Sequence, residues 1–473
     1  MPLHSLHGPS GLLSLKSVPE PVAQTVELIG HLDEVFESGF GRLSSANLQT
    51  LASLAASFAG TPLAEPLDAA IAGLGRSEFV DRHFAVIAAA RAAAPGAMHD
   101  ALVAQASAAL GRPRAELEAL ADTPGQAAPP RAAVLLESVR QWLMELAIAG
   151  FANLEVGALL PFQATLDAIM AEPALVRHAA LLSGFLDELL TVFPAHGKPE
   201  VPRLRWVDLW TRSMVLSLAP PAPAATREVK GELRVFATDL RQHDHVVSLV
   251  AFGALHEAGK PARVVRTSVS AFKVDVLQGD DLAGLLGEVG GKLLEAIAGG
   301  QGLKISGMLL HATGDLVWQE TRAEVLPAKL KLAEEAAAVL TSPTALRPSA
   351  RPEDRHPAVV EELVWLPGDG YSAAGKEARE LSLGGQPFPL AFERWPSSDD
   401  LLAADLAGSK GLVALLRFDG GRWSLQPVMI DKGKPVPRMI GTSLQAARGK
   451  AKGGNLATLK ERAGKLLRKK SGP

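Results

Sequence analysis

With 473 residues, no cysteine and a net charge of −3, the chain is too long for one hydrophobic core and excludes disulfides, thiolate zinc sites and cysteine nucleophiles. A composition of 47% hydrophobic and 21% charged residues is that of a folded globular protein, and with only 5% aromatics its cores must be built mostly from Ala, Leu and Val. The best apolar run, Leu143 to Pro161, carries Glu145 and Glu155 and so falls short of a membrane span, and Met1 to Pro9 lacks the regions of an export signal; a cytoplasmic protein is expected.

Residues 1–218 read as an all-α half, an irregular helical bundle or array. Pro19 to Phe36 places Val22, Val26, Ile29 and Leu32 on one stripe, with prolines in its first turn. Ser44-Ser45 supplies a cap for Leu48–Phe58, and Leu63–Leu74 follows. Ser77–Ala94 and Ala97–Leu110 are expected as two helices, parted by Pro95-Gly96. Further helices are expected over Arg114–Asp122, Ala132–Gly150, Leu154–Ala171, Ala174–Phe193 and Leu204–Leu218. No fixed-period repeat stands out.

The Pro/Ala seam over 219–228 changes the pattern. Residues 229–341 form a first α+β module: strands around Leu233–Ala237, Val246–Leu255 and Arg263–Val276, a helix Leu282–Ile297 capped by Asp280-Asp281, then strands Leu303–His311 and Leu316–Glu320. Helix Lys329–Leu340 and a Pro-rich linker, 342–357, follow. A second module, 358–431, repeats the order: strands Val359–Leu366, Ala378–Leu383 and Phe388–Trp395, a helix Ser398–Leu406, then strands Leu412–Phe418 and Arg422–Met429. This β-β-β-α-β-β order is that of an OB-fold barrel and also of other small α+β folds, and the recurrence fits either a duplication or chance. Each module is expected to have its own core.

The remaining residues, 432–473, carry twelve Lys/Arg against Glu461 alone, or +11, which leaves −14 on the body. Asn455 caps an amphipathic helix with Leu456, Leu459, Ala463 and Leu466 on one side. Arg448, Lys450, Lys452, Lys460, Arg462, Lys465, Arg468, Lys469 and Lys470 are the candidate partner-binding residues.

Catalytic signatures are thin. Gly370-Tyr371-Ser372-Ala373-Ala374-Gly375-Lys376 matches a phosphate-loop spacing, but Glu377 stands where the Mg²⁺-binding Ser/Thr belongs, so a glycine-rich β loop is expected. His243 and His245 have a metal-ligand spacing, with His256, His311 and Asp239 as remote companions, although polar residues between two apolar strands ordinarily form a hairpin loop. His256-Glu257 lacks the second histidine of a zinc-protease helix, and there is neither a nucleophile elbow nor a dinucleotide fingerprint. Asp399-Asp400 and Glu361-Glu362 are read as a helix cap and a solvated strand start. For nucleic acid on the first module, Arg234, Phe236, Arg263, Arg266, Phe272, Lys273 and Lys304 are the available set, with Phe272 expected to pack inward; Trp318, Trp395 and Trp423 are read as core anchors.

No cofactor and no metal are assigned. The leading expectation is a non-catalytic scaffold or adaptor that binds protein partners in a cytoplasmic assembly. The alternatives are a nucleic-acid-binding protein using the basic tail and OB-like modules, and an enzyme with a site near His243 and His245.

Overall fold

The computed structural model describes residues 9–112, 129–192, 201–218, 226–242, 246–273, 280–349, 360–373, 380–391, 403–419 and 421–439. Helices fill the N-terminal half and mixed sheets the C-terminal half. The chain forms two compact units. One comprises Pro19–Ala101 with Asp122–Pro223; the other comprises Met1–Val18, Leu102–Ala121 and Ala224–Pro473.

The helical unit is built from α1 (Glu20–Ser38), α2 (Ser45–Ser57), α3 (Ala64–Gly75), most of α4 (Asp81–Ala109), α5 (Pro130–Ala149), α6 (Val156–Leu159), α7 (Phe162–Met170), α8 (Val176–Val192) and α9 (Arg203–Leu218). Ser44 caps α2 as expected, its side chain accepting from the Asn47 N–H while Asn47 answers the Ser44 N–H. Two expectations fail. Pro95 and Gly96 do not end a helix: α4 runs through them, because Ala94, Met98, His99 and Leu102 on both sides of the break are buried, and that packing outweighs one lost backbone bond. Conversely, Leu154–Ala171 is not one helix, since Leu160-Pro161 separates α6 from α7.

The few aromatic rings are concentrated at the centre of this unit. Phe36 lies 4.5 Å from Trp210 and 5.0 Å from Phe40, and Phe151 lies 5.7 Å from Trp206. A reciprocal motif organises them. Helices α1 and α5 both start at prolines and both stop at a glycine of positive φ, Gly39 at 93° and Gly150 at 83°. Each glycine is followed by a buried Phe in a 3-10 turn, Phe40–Arg42 and Phe151–Asn153, and then by an extended Leu that leads into the next helix. The first turn packs on α5 and the second on α1. The glycines meet where the two copies cross: a Cβ on Gly150 would sit 2.5 Å from the Gly39 nitrogen, and one on Gly39 2.6 Å from the Ala149 carbonyl oxygen. The two Gly-Phe turns thus cross reciprocally, a local similarity too short to show as a sequence period.

The other unit begins with five pairings that close on themselves. Strand β1 (Thr226–Gln242) pairs antiparallel with β2 (Val246–His256), and β2 with β3 (Arg263–Phe272). Strand β3 pairs in parallel with the short β5 (Asp315–Leu316), β5 antiparallel with β4 (Gln301–His311), and β4 returns to the first half of β1. The ring is β1-β2-β3-β5-β4-β1. It closes because β1 is long and bent, with register breaks between Val229 and Lys230 and between Val235 and Ala237. At the bend, Gly231 leaves room for the His256 carbonyl oxygen, which a Cβ would approach to 2.1 Å.

Between β3 and β4 the expected single helix is two, α10 (Asp280–Val289) and α11 (Gly291–Gly299), broken at Gly290 where the Val269 side chain presses close. The expected strand Leu316–Glu320 stops at Leu316, and a further strand, β6 (Ala323–Lys329), resumes the pairing with β4. Helix α12 (Leu332–Thr341) packs on β1 and β2.

The second β group contains β7 (Val360–Pro367), β8 (Ser372–Ala373), β9 (Glu380–Leu383), β10 (Gln386–Pro389), α13 (Ala403–Leu406), β11 (Gly411–Asp419) and β12 (Arg422–Asp431). Its sheets are β12-β11-β7 and β10-β9-β8, linked by a parallel bridge from Leu390 to Leu425. Separate cores for the two modules are not found. Leu363, Val413, Leu415, Val428, Met429 and Met439 belong to the same buried cluster as Leu233, Leu249 and Ile305. N-terminal residues complete this unit: Leu12 and Leu15 of the 3-10 segment Pro9–Lys16 are buried, and that segment packs on β9 and β12. Among the described residues no single helix is long and apolar enough to cross a membrane.

Candidate functional site

The most elaborate polar construction in the β unit is a closed ring of five side chains drawn from four strands. On β1, Asp239 accepts from Arg241 Nε at 2.8 Å, and Arg241 Nη2 donates to Glu361 Oε2 on β7 at 2.7 Å. The other oxygen of Glu361 pairs with Arg417 Nη2 on β11 at 2.8 Å. Arg417 Nη1 donates to Gln426 Oε1 on β12 at 2.8 Å, and Gln426 Nε2 closes the circle to Asp239 Oδ1 at 2.7 Å. The two carboxylates and two guanidinium groups balance, and the inner members Arg417 and Gln426 are 4% and 0% exposed. Burial by itself would raise the Glu361 carboxyl, but Arg241 and Arg417 more than offset it and hold Glu361 below the ordinary carboxylate range.

Its neighbour behaves oppositely. Glu362 is pushed up by burial beyond what Arg112 and Arg347 pull back. Arg112, from the turn after α4, donates to Glu362 Oε2 at 2.9 Å and to the Leu363 carbonyl at 3.1 Å, so it both neutralises a buried acid and covers a main-chain acceptor of β7. Arg347 donates to the carbonyls of Leu340, Ser342 and Ala345 and so closes the C-terminal end of α12; burial, with the charge of Arg112 adding to it, lowers it to about 10. The reading of Glu361-Glu362 as a solvated strand start is thus overturned: both are structural ion-pair residues. The sequence did carry a signal, since Arg417 and Gln426 interrupt otherwise apolar strands, where a polar residue must find a partner.

The first-module set is largely spoken for. Arg234 pairs with Glu232 and Glu335, Arg266 with Asp315, and Lys304 with Glu324, while Phe236 is fully buried and Arg263 nearly so. His256 Nε2 donates to Glu335 Oε1 at 2.8 Å, while Arg234 takes the other oxygen of that carboxylate. Phe272 contradicts its expected inward packing: it is 85% exposed at the end of β3, opposite Val246 at the start of β2. Trp423 is a core anchor, its Nε1 donating to Gln105, and Trp318 packs on the core with its Nε1 on Glu320.

His243 and His245 lie outside the described residues, as do residues 374–379 of the phosphate-loop-like stretch, Trp395, Asp399-Asp400 and the whole set Arg448, Lys450, Lys452, Lys460, Arg462, Lys465, Arg468, Lys469 and Lys470. Among the described residues no cluster of three His, Asp or Glu is arranged to hold a metal ion. Comparison of the chain with protein-family models, with curated proteins and with solved structures finds no match.

Proposed function

We propose that this chain is a non-catalytic scaffold that binds protein partners, and that its two β groups are OB-like barrels serving as the rigid part of that scaffold within a cytoplasmic assembly. The ring order β1-β2-β3-β5-β4-β1, the parallel β3–β5 contact and the helices between β3 and β4 support the OB-like assignment of the first group. The second group supports it through antiparallel β7–β11 and β11–β12 pairs and a parallel contact beside Leu425.

The observation that carries the scaffold reading is the closed ring Asp239–Arg241–Glu361–Arg417–Gln426. A charge-balanced clasp across two β groups, buried except at Arg241, fixes their geometry, which is what a binding platform requires, and it occupies polar groups that chemistry would otherwise use. Arg234, Arg266 and Lys304 are paired with carboxylates, so nucleic acid binding would rest on the tail beyond Met439. Affinity purification of the full chain at low and high salt, beside a chain ending at Met439 so that the core and the Arg438–Ile430 bridge are kept, tests the reading. A protein recovered in stoichiometric amount supports it. Nucleic acid retained at low salt and lost with the tail would favour the nucleic-acid alternative, and recovery of neither would refute the scaffold.

A further inference from the structure

Among the described residues, several sheet edges in the β unit are guarded, whereas the second half of β3 is not. On β6 the exposed residues include Glu324, Pro327 and Lys329, which discourage pairing. Arg112 occupies the Leu363 carbonyl of β7. On β12, Ala391 donates to Leu425 and Arg438 exchanges main-chain bonds with Ile430. Strand β3 is guarded only in its first half, where Val264 donates to Leu346, Arg266 donates to Gly314, and Arg266 and Thr267 pair with β5.

Beyond Thr267 no strand pairs with β3 on the side away from β2, among the described residues. Alternation from Val264 and Arg266 aims the N–H groups of Ser270 and Phe272 to that side. The cross-strand geometry agrees. Ser248 and Ser270 share a side-chain hydrogen bond of 2.7 Å, the close approach of a pair that does not exchange main-chain bonds. The stretch Ser268-Val269-Ser270-Ala271-Phe272 has no charge and no proline, and Ser268, Ser270 and Phe272 are exposed.

We infer that this edge of β3 is a strand-addition site for an extended segment of a partner protein, uncharged along its length, with Phe272 packing on one of its side chains. The inference rests on the scaffold reading and names its contact. Pairing along five residues gives main-chain bonds and alternate side-chain contacts enough for a peptide. It gives far less than the roughly 1,200 Å² of a stable interface, so a second copy of this chain is the poorer occupant.

The test uses the full chain and a phage-displayed library of random octapeptides, with the selected peptide then synthesised and titrated by fluorescence anisotropy. The peptide is expected to slow amide exchange at Ser270 and Phe272. Ser270→Pro, which removes an edge N–H without touching the β2 ladder, is expected to weaken it about tenfold or more. Phe272→Ala, at a site too exposed to affect folding, should weaken it severalfold, and Ser270→Ala should leave it nearly unchanged. Failure to select any binder, affinity unchanged in both Ser270→Pro and Phe272→Ala, or protection of these amides by self-association without peptide would each overturn the inference. A partner that still co-purifies with the Ser270→Pro chain would then leave the scaffold reading standing; loss of every protein partner from the unmodified chain would remove both.

Discussion

Replacing Glu361 with Gln puts the clasp between the β groups to a quantitative test. The substitution keeps the shape of the side chain but removes the charge that faces two guanidinium groups, at 2.7 Å to Arg241 and 2.8 Å to Arg417. A charge-assisted hydrogen bond contributes about 1.5–3 kcal/mol. The Arg241 side chain is 36% exposed, so water compensates much of its share, whereas Arg417 is left charged in the interior beside a neutral Gln426. The loss should therefore be about 3–4 kcal/mol, close to the cost of breaking a buried pair. Urea denaturation of the full chain, followed by hydrogen exchange of β7 and β11, reads this directly.

The pH dependence supplies a second arm. Because Glu361 titrates below its ordinary value of 4.5 in the folded chain, its contribution is present above pH 4.5 and is lost as pH falls through the depressed value. Glu361→Gln should abolish that acid limb. A loss below about 1 kcal/mol, or an acid limb unchanged in the variant, would refute the reasoning.

Other outcomes follow from the same structure. Arg112→Ala should destabilise the β unit by about 3–5 kcal/mol, since it strands the buried Glu362 and bares the Leu363 carbonyl; chemical denaturation measures it. Carboxyl ¹³C titration by NMR should place Glu361 and Glu362 on opposite sides of 4.5, Glu361 below and Glu362 above. The sign for Glu362 is the reverse of its neighbour, its stabilising protonated form being present below 4.5 and lost as pH rises through its raised value. Gly39→Ala and Gly150→Ala should each cost the helical unit at least about 1–3 kcal/mol, because both sites combine positive φ with main-chain atoms inside 3 Å of a new Cβ; thermal unfolding by circular dichroism checks both.

Helix and strand order could be read from periodicity because burial in this chain largely follows it: Val22, Ile29 and Leu32 are buried as their spacing requires, although Val26, expected on the same stripe, is 55% exposed. What could not be read was set by distant partners. Pro95 looks like a breaker, yet the burial of Ala94, Met98 and Leu102 on both sides of it, which keeps α4 intact, is set by tertiary packing that no local pattern shows. Gly290 looks like an ordinary helical residue until Val269 arrives beside it. Glu361, Arg417 and Gln426 lie up to 65 residues apart in sequence, and their association with Asp239 depends on strand pairings that no local pattern encodes. Phe272 is exposed against expectation because alternation predicts which side a residue faces, whereas its exposure depends on what covers the end of β3. The glycine–Phe crossing of Gly39 and Gly150 was visible only as two unremarkable tripeptides.

Everything proposed for this chain depends on the two β groups moving as one body, and differential scanning calorimetry resolved by hydrogen exchange measures that most directly. The shared core and the five-membered clasp predict that β1–β4 and β7–β12 lose protection in a single transition, and that Glu361→Gln lowers the temperature of both together. Two separate transitions, with the variant shifting only the one that contains β7, would contradict the account.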